Sequence, residues 1–230
     1  MTSIFKILTL NVLFIFLAVS AQAQKNNAHV QYVLNFEGNE QAAMFNGSLL
    51  DIYFAPDNSK LVLNMMSGMI KMDMRMNVKG EKGIMLMDMM GQQKYKTIDA
   101  EDINKDDDKA DKSKMPDIKY LKEYKEIAGY KCQKALLSME GQAEKMVIYF
   151  TDKIEMPKGF EKYTEQLNMA GMKGFPMAME INTPEMKMNI IAKAVDLSKQ
   201  AKKIFEIKAP EGYTEMTDED LQGMGGMGGF

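Results

Sequence analysis

From Ile70 to Val78 the chain reads IKMDMRMNV, and few stretches restrict a fold so strongly. Ile70, Met72, Met74, Met76 and Val78 alternate with Lys71, Asp73, Arg75 and Asn77. A period of two puts the apolar set on one side of an extended strand and the polar set on the other. The apolar side is mostly thioether, and the pattern recurs: 25 of the 230 residues are methionine. Methionine has three rotatable bonds and a polarizable sulfur, so such a face can fill a core, adapt to an apolar ligand or bind a soft metal.

The alternation extends along the chain. Residues 28–36 form an expected first strand through Val30, Tyr32, Leu34 and Phe36. Strands over 48–55 and 60–66 flank Pro56-Asp57-Asn58-Ser59, a turn sequence, and so read as a hairpin. Further strands are expected at 69–78, 84–90 and 93–98. After a charged segment the pattern resumes at 131–139, 145–151, 175–183, 185–195 and 203–208, with Met177, Met179 and Ile181 sharing one side, as do Met186, Met188 and Ile190. Residues 159–170 break the rule: Phe160, Tyr163 and Leu167 are spaced three and four apart, a helical stripe that Gly171 and Gly174 would end. The expected class is therefore mainly β (α+β), a meander of antiparallel strands with one helix to cover its apolar face.

The ends bear on location. Lys6, the apolar run from Ile7 to Val19 and Ala21-Gln22-Ala23 have the order of a secretory signal peptide, with cleavage expected after Ala23. The run is short of the ~20 residues that span a bilayer, so no transmembrane anchor is expected after cleavage. The domain reading is a signal peptide at 1–23, one β-rich domain at 24–217 with a charged loop at about 99–117, and a flexible Gly/Met-rich tail at 218–230. The expected location is the periplasm or the medium. The formal charge of −3 becomes −4 without Lys6, which argues against nucleic acid as a partner. A single cysteine, Cys132, cannot form an internal disulfide, so stability must come from packing.

Chemistry-bearing motifs are sparse. Asp102, Asn104 and Asp106 match the first ligand positions of a calcium loop, but Asp107 stands at the glycine position and Ser113 at the closing glutamate, so the run reads as solvated charge. No G-x-S-x-G, H-E-x-x-H or phosphate-binding glycine loop is present. Glu219 and Asp220 sit in a polar tail. No catalytic residue, cofactor or enzymatic activity is expected. Thioethers select Cu(I), and Met72, Met74 and Met76 stand ~6.6 Å apart in a row, so a periplasmic Cu(I)-binding protein is the alternative function. Against it, aliphatic residues continue the same rows and His29 is the sole histidine.

Three further segments share a style. Ile127-Ala128-Gly129-Tyr130-Lys131-Cys132 has the form I-x-G-Y-x-C; Ile148-Tyr149-Phe150-Thr151-Asp152 follows; Gly171 to Glu180 gives G-x-K-G-F-P and then M-x-M-E. Together with the methionine-rich 69–89 stretch, they resemble the secreted bacterial proteins grouped as domain of unknown function 4412, over most of 32–217. The resemblance implies a lipoprotein-carrier-like fold, a curved half-barrel wrapped around one helix. It implies no activity and no catalytic residues. The expected function is non-enzymatic binding of a lipid, an acyl chain or an apolar protein segment. The face expected to bind it is lined by Met72, Met74, Met76, Met85, Met87, Met177, Met179, Met186 and Met188.

Overall fold

The structure, a computed structural model, describes residues 27–38, 40–77, 82–99, 116–138, 146–155, 171–182, 186–217 and 220. Alternation becomes strand nearly everywhere it was expected. The strands are β1 (Ala28–Glu37), β2 (Ser48–Ala55), β3 (Asn58–Met65), β4 (Ile70–Asn77), β5 (Lys82–Met89), β6 (Gln92–Asp99), β7 (Asp117–Ile127), β8 (Tyr130–Ser138), β9 (Met146–Thr151), β10 (Phe175–Asn182), β11 (Lys187–Asp196) and β12 (Thr214–Glu215). They form a single 12-stranded sheet in the order β12-β6-β5-β4-β3-β2-β1-β11-β10-β9-β8-β7. Neighbours are antiparallel except β12, which runs parallel to β6. The sheet ends in β7 and β12 and does not close into a barrel.

Tight turns set the register. Ala128 and Gly129 both have positive φ, as a two-residue type I′ hairpin requires, and they pair Ile127 with Tyr130. Met90 and Gly91 do the same between β5 and β6 and pair Met89 with Gln92. Pro56 and Asp57 join β2 to β3.

The sheet is strongly curved. Phe54 on β2 and Phe175 on β10 are three strands apart, ~14 Å along a flat sheet. Their rings nevertheless meet edge to face, with centroids 6.2 Å apart. The Tyr32 hydroxyl on β1 reaches past β11 to donate to the Pro176 carbonyl at 2.8 Å, and β7 comes back into contact with β11. The side bearing Val30, Tyr32 and Phe54 is therefore the concave one. A bulge between Pro176 and Ala178 helps the bend and leaves Met177 fully buried. The core fills this curl: Val30, Tyr32, Phe54, Cys132, Ile148, Phe175, Met177 and Ile190 belong to one cluster. Cys132 is buried in it, and burial pushes its thiol up to about 11, which leaves it protonated and unreactive at neutral pH.

Some expectations need correction. The 203–208 segment was expected to be a strand; Lys202–Phe205 is a 3-10 turn instead, and the last strand is β12. The physical reason lies in what the segment covers. The turn contacts β3 with Phe205 buried, the Glu206 carbonyl accepts a hydrogen bond from Arg75 at 2.9 Å, and the Met216 amide donates to the Tyr95 carbonyl at 2.8 Å. The segment thus crosses the convex side of β3–β6 and cannot also pair along its length. This cover explains why Val62, Ile84 and Leu86 are buried on the side that Asp73 and Arg75 share. The expected helix at 159–170, the signal peptide, and nearly all of the charged loop and of the tail lie outside the described residues. Among those described, helix is limited to α1 (Glu40–Ala43) and two 3-10 turns.

Candidate ligand-binding face

Cross-strand partners in an antiparallel ladder project to the same side, so the register shows which residues share the concave face. One lateral row runs Val30, Ile52, Leu61, Met74, Met85, Lys96 from β1 to β6. The next runs Tyr32, Leu50, Leu63, Met72, Met87, Lys94. A third places Met76 between Ser59 and Gly83. A Cβ on Gly83 would lie 2.9 Å from the Arg75 carbonyl and 3.0 Å from Met76 Cγ, so the glycine leaves room for the Met76 side chain.

The nine expected methionines divide into groups. Met177 and Met179 are buried in the core cluster, and Met188 packs against it. Met186 lies just before β11 and is half-buried. Met87 is buried on β5, apart from that cluster. Met72, Met74, Met76 and Met85 are half-buried and outside the cluster. From β4 to β11 is four strand spacings, ~19 Å along the sheet, and the aliphatic residues of β2 and β3 fill the interval. The concave face is thus one continuous apolar surface, closed at the β7–β11 end and partly open over β4 and β5. The methionines continue to the rim: Met69 is 47% and Met90 75% exposed, and the Met90 amide donates to the Met69 carbonyl at 2.9 Å.

The alternation on β4 and β5 marks the methionines but not the lysines at the end of their rows. Lys94 and Lys96 were legible only by carrying the Met90-Gly91 turn through to the β5–β6 register. Lys94 Nζ donates to both carboxylate oxygens of Asp220, at 2.7 and 2.6 Å. Asp220 also accepts from the Thr217 amide and hydroxyl at 2.8 and 2.9 Å. Asp220, read from sequence as a solvated tail residue, is therefore a tether that ties the C-terminal segment to β6. These donors hold its carboxyl down, at about 2, with Lys94 the largest cause. A depressed carboxylate contributes fully above its unfolded value near 3.8 and loses that contribution as pH falls through about 2. The hydrogen-exchange protection factor of the Met216 amide, its slowing relative to an unstructured amide at the same pH, is accordingly expected to fall between about pH 4 and pH 2, and Asp220→Asn to abolish that pH dependence.

The convex side carries the buried charge. His29 Nε2 lies 2.7 Å from Asp51 Oδ1, Gln31 donates to the same oxygen at 3.0 Å, and His29 stacks on Tyr53 with ring centroids 4.1 Å apart. Asp73 takes Lys60 at 3.1 Å and a two-pronged contact from Arg75 at 3.1 and 2.9 Å. The acids are satisfied by their neighbours, which is the pattern of structural ion pairs rather than of a reactive group. His29 is thus on the side opposite the methionines. Among the described residues no group of three His, Cys, Asp or Glu side chains is placed to hold a metal. No helix among them is long and apolar enough to cross a membrane.

No family model matches the chain, and no curated protein matches it. Solved structures resemble it in shape. PNGF-II in its C2 crystal form aligns over 86% of this chain at 14% identity and a TM-score of 0.45. This chain covers 32% of PNGF-II, about a third of its length. Lipoprotein LppX of Mycobacterium tuberculosis aligns over 80% of this chain and 94% of its own, at 8% identity and a TM-score of 0.37. A beta-barrel-like protein of domain of unknown function DUF1849 from Brucella abortus aligns over 76% and 99%, at 6% identity and a TM-score of 0.29. At these values the likeness carries no function across to this chain.

Proposed function

We propose that this is an exported, non-enzymatic protein that binds an apolar ligand, such as a lipid, an acyl chain or an apolar protein segment, on the open part of its concave face. The proposal includes membership of the group called domain of unknown function 4412 and a periplasmic or secreted location after cleavage at Ala23. One observation supports it above the others: Met72, Met74, Met76 and Met85 continue the apolar surface of the core on the same concave side, yet remain half-buried. A contiguous apolar surface left in contact with water marks an interaction site. Thioether side chains suit it to ligands of varied shape, because they repack without strain. The copper alternative has no comparable support, since the same rows run on into Leu61 and Leu63.

The test is titration of the mature protein with an uncharged fluorescent probe such as Nile red. Met74 and Met85 face each other across β4 and β5. Changing both to asparagine is expected to weaken binding by about tenfold or more, because covering an apolar side chain contributes about 1.5–3 kcal/mol. Both residues lie outside the core cluster, so the circular dichroism spectrum should be unchanged. Equal affinity in the variant would move the site elsewhere, and a native protein that binds no apolar probe would remove the reading.

A further inference from the structure

On β1 to β6, the concave face carries its only charged residues at one edge, and both are lysines. The register places Ala28, Val30, Tyr32, Leu34 and Phe36 of β1 on this face. The corresponding positions of β2 to β5 are serine, glycine, aliphatic, phenylalanine or methionine. Charge appears only on β6, as Lys94 and Lys96, cross-strand partners of Met87 and Met85. A lysine directed onto an apolar face loses hydration unless an anion or water meets its ammonium group. Lys94 is met by Asp220. Lys96 is half-buried and has no ion-pair partner among the described residues.

We infer that the ligand is an anionic single-chain amphiphile, a fatty acid, whose carboxylate is bound by Lys96 while its chain lies across the strands over Met85 and Met74 toward Leu61. This rests on the proposed apolar-binding face and specifies its ligand. The dimensions agree: from Lys96 on β6 to Leu61 on β3 is three strand spacings, ~14 Å, and Ile52 on β2 continues the row to four, ~19 Å, the span of a long acyl chain. The charge agrees as well, because among the described residues Asp220 neutralises Lys94 and Lys96 keeps its charge for a head group. An uncharged chain of equal length would gain the apolar contacts without the charge-assisted hydrogen bond to Lys96.

The experiment is displacement of Nile red from the mature protein by tetradecanoate and, separately, by tetradecanol. The acid is expected to bind about tenfold tighter, the effect of one charge-assisted hydrogen bond at a half-buried site. Lys96→Gln is expected to bring the ratio of the two affinities to about one. Lys96→Arg should keep it well above one, and rising salt should reduce it, as for a partly exposed ion pair. Equal binding of acid and alcohol by the native protein, or a ratio that Lys96→Gln leaves unchanged, would overturn the assignment of Lys96 while leaving the apolar face in place. Failure of both compounds to displace the probe would overturn the face as well.

Discussion

Replacing Asp73 by alanine is expected to destabilise the fold by about 3 kcal/mol, the cost of removing one partner from a buried ion pair. Asp73 is only 7% exposed and holds two cations, Lys60 at 3.1 Å and Arg75 at 2.9 Å. Lys60 and Arg75 flank it on β3 and β4, with side chains 14% and 15% exposed. Without the carboxylate, two like charges would remain in a half-dry layer beside Val62 and Leu86, the cross-strand partners of Asp73. Arg75 would also lose the acid that aims its guanidinium at the Glu206 carbonyl, so the cover over the convex side would loosen. The measurement is urea denaturation at neutral pH, comparing midpoints at constant slope. Glu37→Ala is the control. Its partner Lys187 stands 3.8 Å away and both side chains are largely exposed, so it should change stability by no more than about 0.5 kcal/mol. If the two variants lost equal stability, the Asp73 cluster would be surface charge rather than part of the packed convex layer.

That cluster also shows where the sequence can be read and where it cannot. Lys71, Asp73, Arg75 and Asn77 were placed correctly on the side opposite the methionines, because period-two alternation is local information. Their alternation looks like an ordinary solvent face. Around Asp73 and Arg75 it is a covered layer only because residues 202–216 return to it, a contact spanning more than a hundred positions that leaves no local mark. The same limit explains the expected strand at 203–208: KIFEIK alternates, but Phe205 is buried by packing against a finished sheet. Strand existence was legible for most of the sheet, since turns at Pro56-Asp57 and Gly129 punctuate the apolar rows, but not for the charge-dense β7 or the two-residue β12. The strand order was not. Pairing of β1 with β11 joins residues 150 or more positions apart, and nothing in either strand names its partner. The methionine rows divide between core and open face for this reason: Met177 and Met74 look alike in sequence, and only the curl of the sheet buries the first and leaves the second half-covered.

Substituting Gly174 should be as damaging as removing Asp73, by a different mechanism. Its φ is +85°, a conformation that costs an L-residue about 1–2 kcal/mol. A Cβ there would also stand 2.7 Å from the Thr151 carbonyl oxygen and 2.8 Å from Phe150 Cδ2. The first obstacle is backbone and the second a buried ring, so neither yields without moving β9 away from β10. That movement would disturb the bulge that seats Met177 and the Pro176 carbonyl that receives the Tyr32 hydroxyl. Gly174→Ala is therefore expected to lose about 3 kcal/mol, combining backbone strain with overpacking. Gly129 separates these contributions: its φ is +80°, but nothing lies within 4 Å of the added carbon. Gly129→Ala should cost only the conformational part, about 1–2 kcal/mol. Thermal unfolding of the two variants side by side reads the difference. A larger loss at Gly174 would mean that the close approach of β9 to β10 holds the concave face in its curve, and that the glycine of the G-x-K-G-F-P step is required by packing as well as by the turn. Equal losses would mean that the turn alone requires it, and the curvature that shapes the candidate binding face would have to be maintained by the core side chains.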